Sequence, residues 1–358
     1  MEQVFLDLSD KEMVKKWDDF CLYESGAWFW HTTDWMQYTL QYRLDRHPKN
    51  ASFMVMDEGQ IVAIVPLIIE SYNKEHYTSF DVVEFSYGAG PIPAPIFSKY
   101  ASSETIDDGY KIVADRLVVI ARENYVQKGE FQYSALCDRD SGFIYNDGIL
   151  PTHTQILSLD RPFPALLRQM RKGHISAVKH GMALFNIWSC DSNSYGKDLF
   201  KQYESLHAIA NGRICRSHAT FEMQHVWSQA GNGILFSAIK EGTPYGFIYV
   251  FLYKNKAYFG SACNDPQYRH LPIGHALQGA AIQRLCLHGY KQYELGAQYG
   301  PDELATDKER NIAHFKHGFG GVTVPVKQWK KEYGTQIGEE QTSFVEQSSL
   351  NYLLAAQD

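Results

Sequence analysis

The sequence predicts an α/β fold with mixed (α+β) sheets, divided into two domains. Three observations predict it. The chain has 358 residues, more than one ordinary core accommodates. The stretch 256–296 reads strand, loop, helix, strand, the order of an α/β unit. Two hairpin patterns on one plan stand in the two halves, SFMVMDEGQIVAIVPLII at 52–69 and ILFSAIKEGTPYGFIYVFLY at 234–253, as a duplicated unit would have them.

Each element follows from its pattern. A helix over 10–22 starts at Ser9 as cap, with Glu12 three positions on. The two hairpins turn at Glu58-Gly59 and at Glu241-Gly242. LPTHTQILSLDRPFP is a strand-like exit with two prolines behind it, which puts the domain boundary at 150–165. A basic helix over 166–181 gathers Leu166, Leu167, Met170, Ile175 and Val178 on one face, with Arg168, Arg171, Lys172 and Lys179 elsewhere, and ends at Gly181. A second helical region, 196–229, is interrupted at ANGRICRSHAT. A strand over 256–263 leads through the polar loop NDPQYRHLPIGHA into a helix that stops at Gly289. Its core face is Ile273, Leu277, Ala280, Ala281, Leu285 and His288. The strand YKQYELG ends at Gly296, a strand VTVPVKQWKK follows Gly321, and a polar tail from 334 closes with a short apolar helix.

Composition narrows the function. Hydrophobic residues at 44% and charged residues at 21% are those of a globular protein. Aromatics at 14% supply large cores, with a ring-lined pocket as the alternative use. A net charge of −7 excludes bulk attraction to nucleic acid or an anionic membrane. The start MEQVFLDLSDKEM is acidic and has no apolar core, unlike a signal peptide. The longest apolar run, 61–69, is too short to span a bilayer, so no stable membrane insertion is expected. Six scattered cysteines fit a reducing cytoplasm and no zinc knuckle. Among the histidines, none stands in an H-E-x-x-H pattern, so no metal is expected. No G-x-S-x-G elbow, G-x-G-x-x-G or Walker A loop is present, which leaves serine-hydrolase, dinucleotide and P-loop chemistry without support.

The loop before Ile273 is the first candidate site. A helix N-terminus presents unpaired N–H groups and a positive dipole end, a seat for phosphate or a polarised carbonyl. Pro272 and Gly274 suit such a start. Glu294 lies near the C-terminal end of its strand, where burial can raise its pKa into the range of a general base; a salt-bridged structural glutamate is the alternative. Alternation puts Glu294 and Gly296 on one side, opposite Tyr293 and Leu295.

Two runs carry a family resemblance: GSACNDPQYR at 260–269 with YELG at 293–296, and FKHGFGG at 315–321, similar to an F-K-x-x-F-G signature. On these the second half resembles the acyltransferase domain of the GNAT superfamily, and the whole chain resembles its two-domain FemAB-like branch. The clear match covers 160–325, and the first half joins in outline through HTTDW (31–35) and YGAGP (87–91). The resemblance implies two tandem GNAT-like domains: 1–155, degenerate and on the acceptor side; 156–330, the acyltransferase; and 331–358, a tail. It implies N-acyl transfer from acetyl-CoA or another acyl-CoA to the amine of an amino sugar or cell-envelope polysaccharide precursor, either a sugar nucleotide or lipid-linked. The alternatives are a donor linked to tRNA, as in aminoacyl-tRNA-dependent cell-wall enzymes, and a non-catalytic protein that binds a glycan precursor. Lys316 and Glu294 take the catalytic places. Asn264, Arg269, Gly274, His275, Ala276 and Phe315 would bind the donor, and Trp35, Tyr87, Arg171, Arg213 and Arg216 the acceptor. The family's Gln/Arg-x-x-Gly-x-Gly/Ala loop is matched at its end by Gly274-His275-Ala276, but Leu271 takes the Gln/Arg slot and Arg269 stands two places early.

Overall fold

A computed structural model describes residues 1–73, 82–138, 148–191, 196–300, 303 and 305–334. The expected tail helix falls outside them. The first half runs β1 (Glu2–Phe5), α1 (Lys11–Tyr23), α2 (Thr33–Tyr42), β2 (Lys49–Asn50), β3 (Phe53–Asp57), β4 (Gln60–Val65), β5 (Ile68–Tyr72), β6 (Val82–Phe85), β7 (Ile92–Pro93), β8 (Ile96–Phe97), α3 (Ser103–Glu123) and β9 (Lys128–Gln132). The second runs β10 (Gly148–Ser158), α4 (Phe163–Gln169), α5 (Lys172–Leu184), β11 (Asn186–Cys190), α6 (Lys197–Asn211), α7 (His218–Gln229), β12 (Gly233–Lys240), β13 (Thr243–Tyr253), β14 (Lys256–Asn264), α8 (Ile273–Leu287), β15 (Gln292–Gln298), α9 (Asp307–His317) and β16 (Val322–Glu332).

A small antiparallel sheet, β1-β3-β4-β8, belongs to the first half. A long mixed sheet passes through both halves in the order β11-β12-β13-β14-β15-β10-β16-β9-β6-β5-β2. The halves meet where β16 pairs with β9, from Gln328↔Gln132 to Glu332↔Lys128. The result is two lobes on a mixed α/β plan. One core gathers Trp17, Phe53, Ile64 and Phe131; another gathers Val178, Ile248, Leu277 and Leu295. A third, aromatic cluster holds Trp28 and Phe29 against Tyr203, Trp227 and Phe251, and so ties the lobes together.

Several sequence expectations are corrected. Asp10, not Ser9, caps α1: its carboxylate accepts from the Glu12 and Met13 amides, while the Ser9 hydroxyl turns back to Asp7. The apolar run 61–69 is two strands in different sheets, because Pro66 has no N–H for the ladder and the chain crosses over after Val65. The basic helix is broken at Met170-Arg171 into α4 and α5, and Gly181 lies inside α5. A Cβ on Gly181 would meet the Ala276 Cβ and the Pro272 carbonyl, each at 2.8 Å, so this glycine lets α5 press against the start of α8. His288 is exposed at the end of α8 and no part of its core face. The two hairpin turns share one geometry: φ is +47° and +79° at Glu58-Gly59, and +53° and +79° at Glu241-Gly242.

Candidate active site

The site grows from a fork in the long sheet. β14 and β15 run parallel and pair only from Lys256↔Gln292 to Tyr258↔Glu294. Beyond that point β14 stays on β13 as far as Asn264, and β15 stays on β10 as far as Gln298. A register shift between Gln155 and Ile156 leaves Leu295 as an extra residue between Glu294 and Gly296, and such a bulge bends its strand. Open α/β sheets bind ligands at the carboxyl ends of strands that part in this way.

Lys316 fills the fork from α9. Its ammonium lies 5.8 Å from the centre of the Phe259 ring on β14. A Cβ on Gly296 would come within 2.8 Å of its Nζ and 3.6 Å of the Tyr258 hydroxyl. Gly296 also has φ +91°, so both backbone and space require glycine there. Glu294 is 7% exposed and accepts a 2.7 Å hydrogen bond from Thr154 Oγ1 on β10. Burial pushes its carboxyl up to about 7, against the pull of the Thr154 hydroxyl and the Lys316 charge. Burial likewise brings Lys316 down to about 8, with Glu294 opposing. A carboxyl and an ammonium that both titrate near neutrality are thus neighbours at the fork, Glu294 in the lining of the cavity and Lys316 beside Gly296.

Glu294 and Gly296 open onto a cavity of about 910 Å³ lined by both halves of the chain. Trp30, Trp35 and Tyr87 come from the first half; Thr154, Tyr258 and Arg216 come from the second. The expected acceptor residues divide. Trp35, stacked on Tyr38 with centroids 4.7 Å apart, lines the cavity, as do Tyr87 and Arg216. Arg213 is exposed in the turn after α6 and is not part of the lining. Arg171 is not part of it either: its guanidinium sits against His314 and His174, because the break before α5 turns it towards α9.

Of the residues expected to bind the donor, Asn264, Gly274, His275 and Phe315 come together where α8 meets α9. Phe315 packs over Gly274, where a Cβ would be 3.3 Å from its ring, and its ring centre is 5.0 Å from that of His275. Burial holds His275 down to about 4, so it is neutral at physiological pH. His174 Nε2 donates to the Phe315 carbonyl at 2.9 Å and anchors the last turn of α9. No side chain caps α8; the Ile273 amide bonds to the Leu271 carbonyl at 2.9 Å, and the Gly274 and His275 amides are the ones its first turn offers to a ligand. The Ala276 amide is used within the helix, bonded to the Pro272 carbonyl at 3.0 Å, and its methyl is buried against Gly181. Asn264 stands at the mouth of the fork beside Gly274. Arg269 points away along the loop, its Nε donating to the Pro266 carbonyl at 3.1 Å.

The sequence reading did not single out Thr154, His153 or Tyr258, all of which line the cavity. His153 lines the cavity with its Nδ1 2.7 Å from Glu303 Oε1. The available signal was the polar T-H-T-Q stretch inside a strand, since polar side chains there need a reason. Among the described residues no group of three His, Cys, Asp or Glu side chains is placed to hold a metal ion, and no helix is long and apolar enough to cross a membrane.

Residues 198–309 match the family model of the acetyltransferase (GNAT) domain, a stretch that contains Arg216, Tyr258 and Glu294 and stops short of Lys316. A search of curated proteins finds no match. Among solved structures the fold is similar to FemX, at 12% identity over 92% of this chain and 97% of that one, with a TM-score of 0.61. It is similar to a tandem GNAT protein from the clavulanic acid biosynthesis pathway, at 15% identity over 94% and 99%, TM-score 0.55. It is also similar to L-PGS from Bacillus licheniformis, at 11% identity over 94% and 95%, TM-score 0.55. The second lobe therefore carries an acyltransferase domain of the GNAT kind, set in a two-lobed fold that these proteins share.

Proposed function

We propose that the chain is an N-acyltransferase that moves an acyl group, acetyl in the simplest case, from acyl-CoA to an amine seated in the cavity between the lobes. The observation that carries this reading is the placing of Glu294 and Lys316 at the fork, where one wall faces the donor seat and the other the cavity. The Gly274 and His275 amides in the first turn of α8 and its positive end suit the diphosphate of CoA. The unpaired edges of β14 and β15 beyond Glu294 suit the amide-bearing arm that leads to the thioester. Phe315 and His275 form the adjoining apolar wall.

The chemistry then follows from the residues. The acceptor ammonium gives a proton to the Glu294 carboxylate, which Thr154 holds in place. The free amine attacks the thioester carbonyl. Negative charge gathers on the carbonyl oxygen, and the Lys316 ammonium stabilises it in a site of low dielectric. Collapse breaks the carbon–sulfur bond, the second amine proton leaves with the thiol, and an amide remains.

The rings of Trp30, Trp35 and Tyr258 offer flat apolar faces of the kind sugars stack on, which favours the amino sugar of a cell-envelope precursor as acceptor. On this reading the first 155 residues mainly shape the acceptor wall and 156–330 perform the transfer.

The test is release of free thiol from acetyl-CoA by purified protein across a panel of hexosamines and amino-sugar nucleotides. Amine-dependent release supports the reading. Tight binding of a sugar nucleotide with no acyl transfer to any amine would leave a binding protein on an acyltransferase fold.

A further inference from the structure

Glu303 is a carboxylate of the cavity wall without a lysine or arginine to balance it. It lies between β15 and α9, its side chain is 12% exposed, and among the described residues no Lys or Arg forms an ion pair with it. Its Oε1 is 2.7 Å from His153 Nδ1 on β10. Arg310 of α9 reaches the same loop but spends its donors on the backbone: Nη1 donates to the Gly300 carbonyl at 3.2 Å and Nη2 to the Glu303 carbonyl at 2.5 Å. The backbone is thus pinned while the charge is left to the imidazole. A carboxylate drawn out of water without a counter-charge is costly, and one neutral donor offsets only part of that cost.

The pair presents acceptors to the cavity, which both residues line together with Gln298 and Tyr299. An ionised carboxylate only accepts, so a neutral His153 ring donates through Nδ1 and keeps a lone pair on Nε2. Neither Nε2 nor Glu303 Oε2 has a hydrogen-bond partner among the described residues. The register also fixes how far the pair stands from the fork. Glu294 is opposite Ile156 and Gln298 is opposite His153, three residues away on β10. At about 3.3 Å per residue, the pair lies roughly 10 Å from the proposed base along the strands.

We propose that His153 and Glu303 form a subsite for a second ammonium of the acceptor, roughly 10 Å from the amine that is acylated. The acceptor is then dibasic. The proposal rests on the acyl-transfer reading for the reacting amine, but not for the cation site itself. An ammonium brings a positive charge and several N–H donors, and this corner offers a negative charge and two unused acceptors. An oligosaccharide with two amino sugars and a linear polyamine share that chemistry. The bound cation supplies the missing counter-charge, and its distance from Glu294 sets which amine reaches the fork.

Calorimetry on the full chain, with the donor seat saturated by CoA, is the test. Octamethylenediamine is compared with octylamine, and the β-linked disaccharide of glucosamine with glucosamine. At least one dibasic compound should bind about tenfold or more tighter than its monobasic counterpart, and which one does so identifies the source of the ammonium. In E303Q, which keeps the shape and loses the charge, that advantage should fall to about twofold or less. E104Q, at an exposed glutamate of α3, should keep it. If E303Q fails to fold, spacing decides on wild-type protein: trimethylenediamine is too short to reach both groups and must bind no better than propylamine. Absence of a dibasic advantage in both pairs, an equal advantage in E303Q, or an equal advantage for the short diamine overturns the proposal. Thiol release with monobasic amines and no preference for dibasic ones removes the subsite and keeps the acyl-transfer reading. Glu303-dependent binding in a protein that acylates no amine keeps the subsite and removes that reading.

Discussion

Lys316 and Glu294 lie close together at the fork, and on the proposed acyl-transfer reading their substitutions have separate signatures. Lys316→Ala removes the charge aimed at the developing oxyanion, and kcat should fall about 100-fold or more while the fold persists. Wild-type turnover in that variant, measured by thiol release, would take Lys316 out of the mechanism. The rate should rise with pH through about 7 as Glu294 loses its proton, and fall above about 8 as Lys316 loses its own. The two limbs belong to the pair rather than to either group. Glu294→Gln should abolish the acid limb, and a profile still rising through 7 in that variant would point to another base. That both stand at one fork was legible as an expectation in the sequence, Glu294 from its place at a strand end and Lys316 from the resemblance of FKHGFGG. Thr154 was not, because what brings it to Glu294 is the register of β10 against β15, and a register between strands far apart in sequence leaves no local mark. Arg171 lies off the cavity for a related reason: a helical pattern shows which residues share a face, not what that face meets.

The packing of α5 on α8 fixes where α8, the helix proposed to seat the donor, begins. Gly181→Ala puts a methyl 2.8 Å from both the Ala276 Cβ and the Pro272 carbonyl. The clash should lower stability by about 1–3 kcal/mol and push the first turn of α8 away from its seat. Acetyl-CoA should then bind more weakly in calorimetry, with less effect on acceptor affinity. Unaltered donor affinity would separate this contact from donor binding. Reading Gly181 as a helix stop was a reasonable use of glycine's backbone freedom, but this glycine serves close approach instead. The hairpin turns were read correctly, because two adjacent residues at positive φ need E-G-like sequence and nothing beyond it. The run 61–69 was read as one strand, because hydrophobicity alone does not say which sheet receives each part of it.

Across the whole molecule, the join between lobes is built from β16 and the aromatic cluster. Trp329 on β16 is 2% exposed and stacks on Phe131 of β9, with centroids 5.9 Å apart. Trp329→Ala should cost about 3–5 kcal/mol, visible as a lower denaturant midpoint, with both lobes affected together. Separate transitions with only one lobe shifted would show that the lobes are independent. His31 ties the cavity wall in another way. It is 1% exposed, its Nδ1 accepts from the Trp28 amide, and its Nε2 lies 3.1 Å from the Ala94 carbonyl. Burial lowers its pKa to about 4, so the unfolded chain takes up a proton first as pH falls below 6.5. Stability from this residue is intact above 6.5 and is lost progressively as pH falls towards 4, by up to about 3 kcal/mol. Urea unfolding at pH 7.5 and pH 5 should show the loss, and a His31→Gln variant should show less of it. The place of β16 in the sheet has a further consequence for the growing polypeptide. The strand that closes the sheet between β9 and β10 leaves the ribosome after both of them. Until it arrives, each exposes a bare edge, which is an invitation to misassembly. Completion of the early lobe's sheet edge therefore waits for a late strand, and slow synthesis of the middle of the chain would prolong the vulnerable interval.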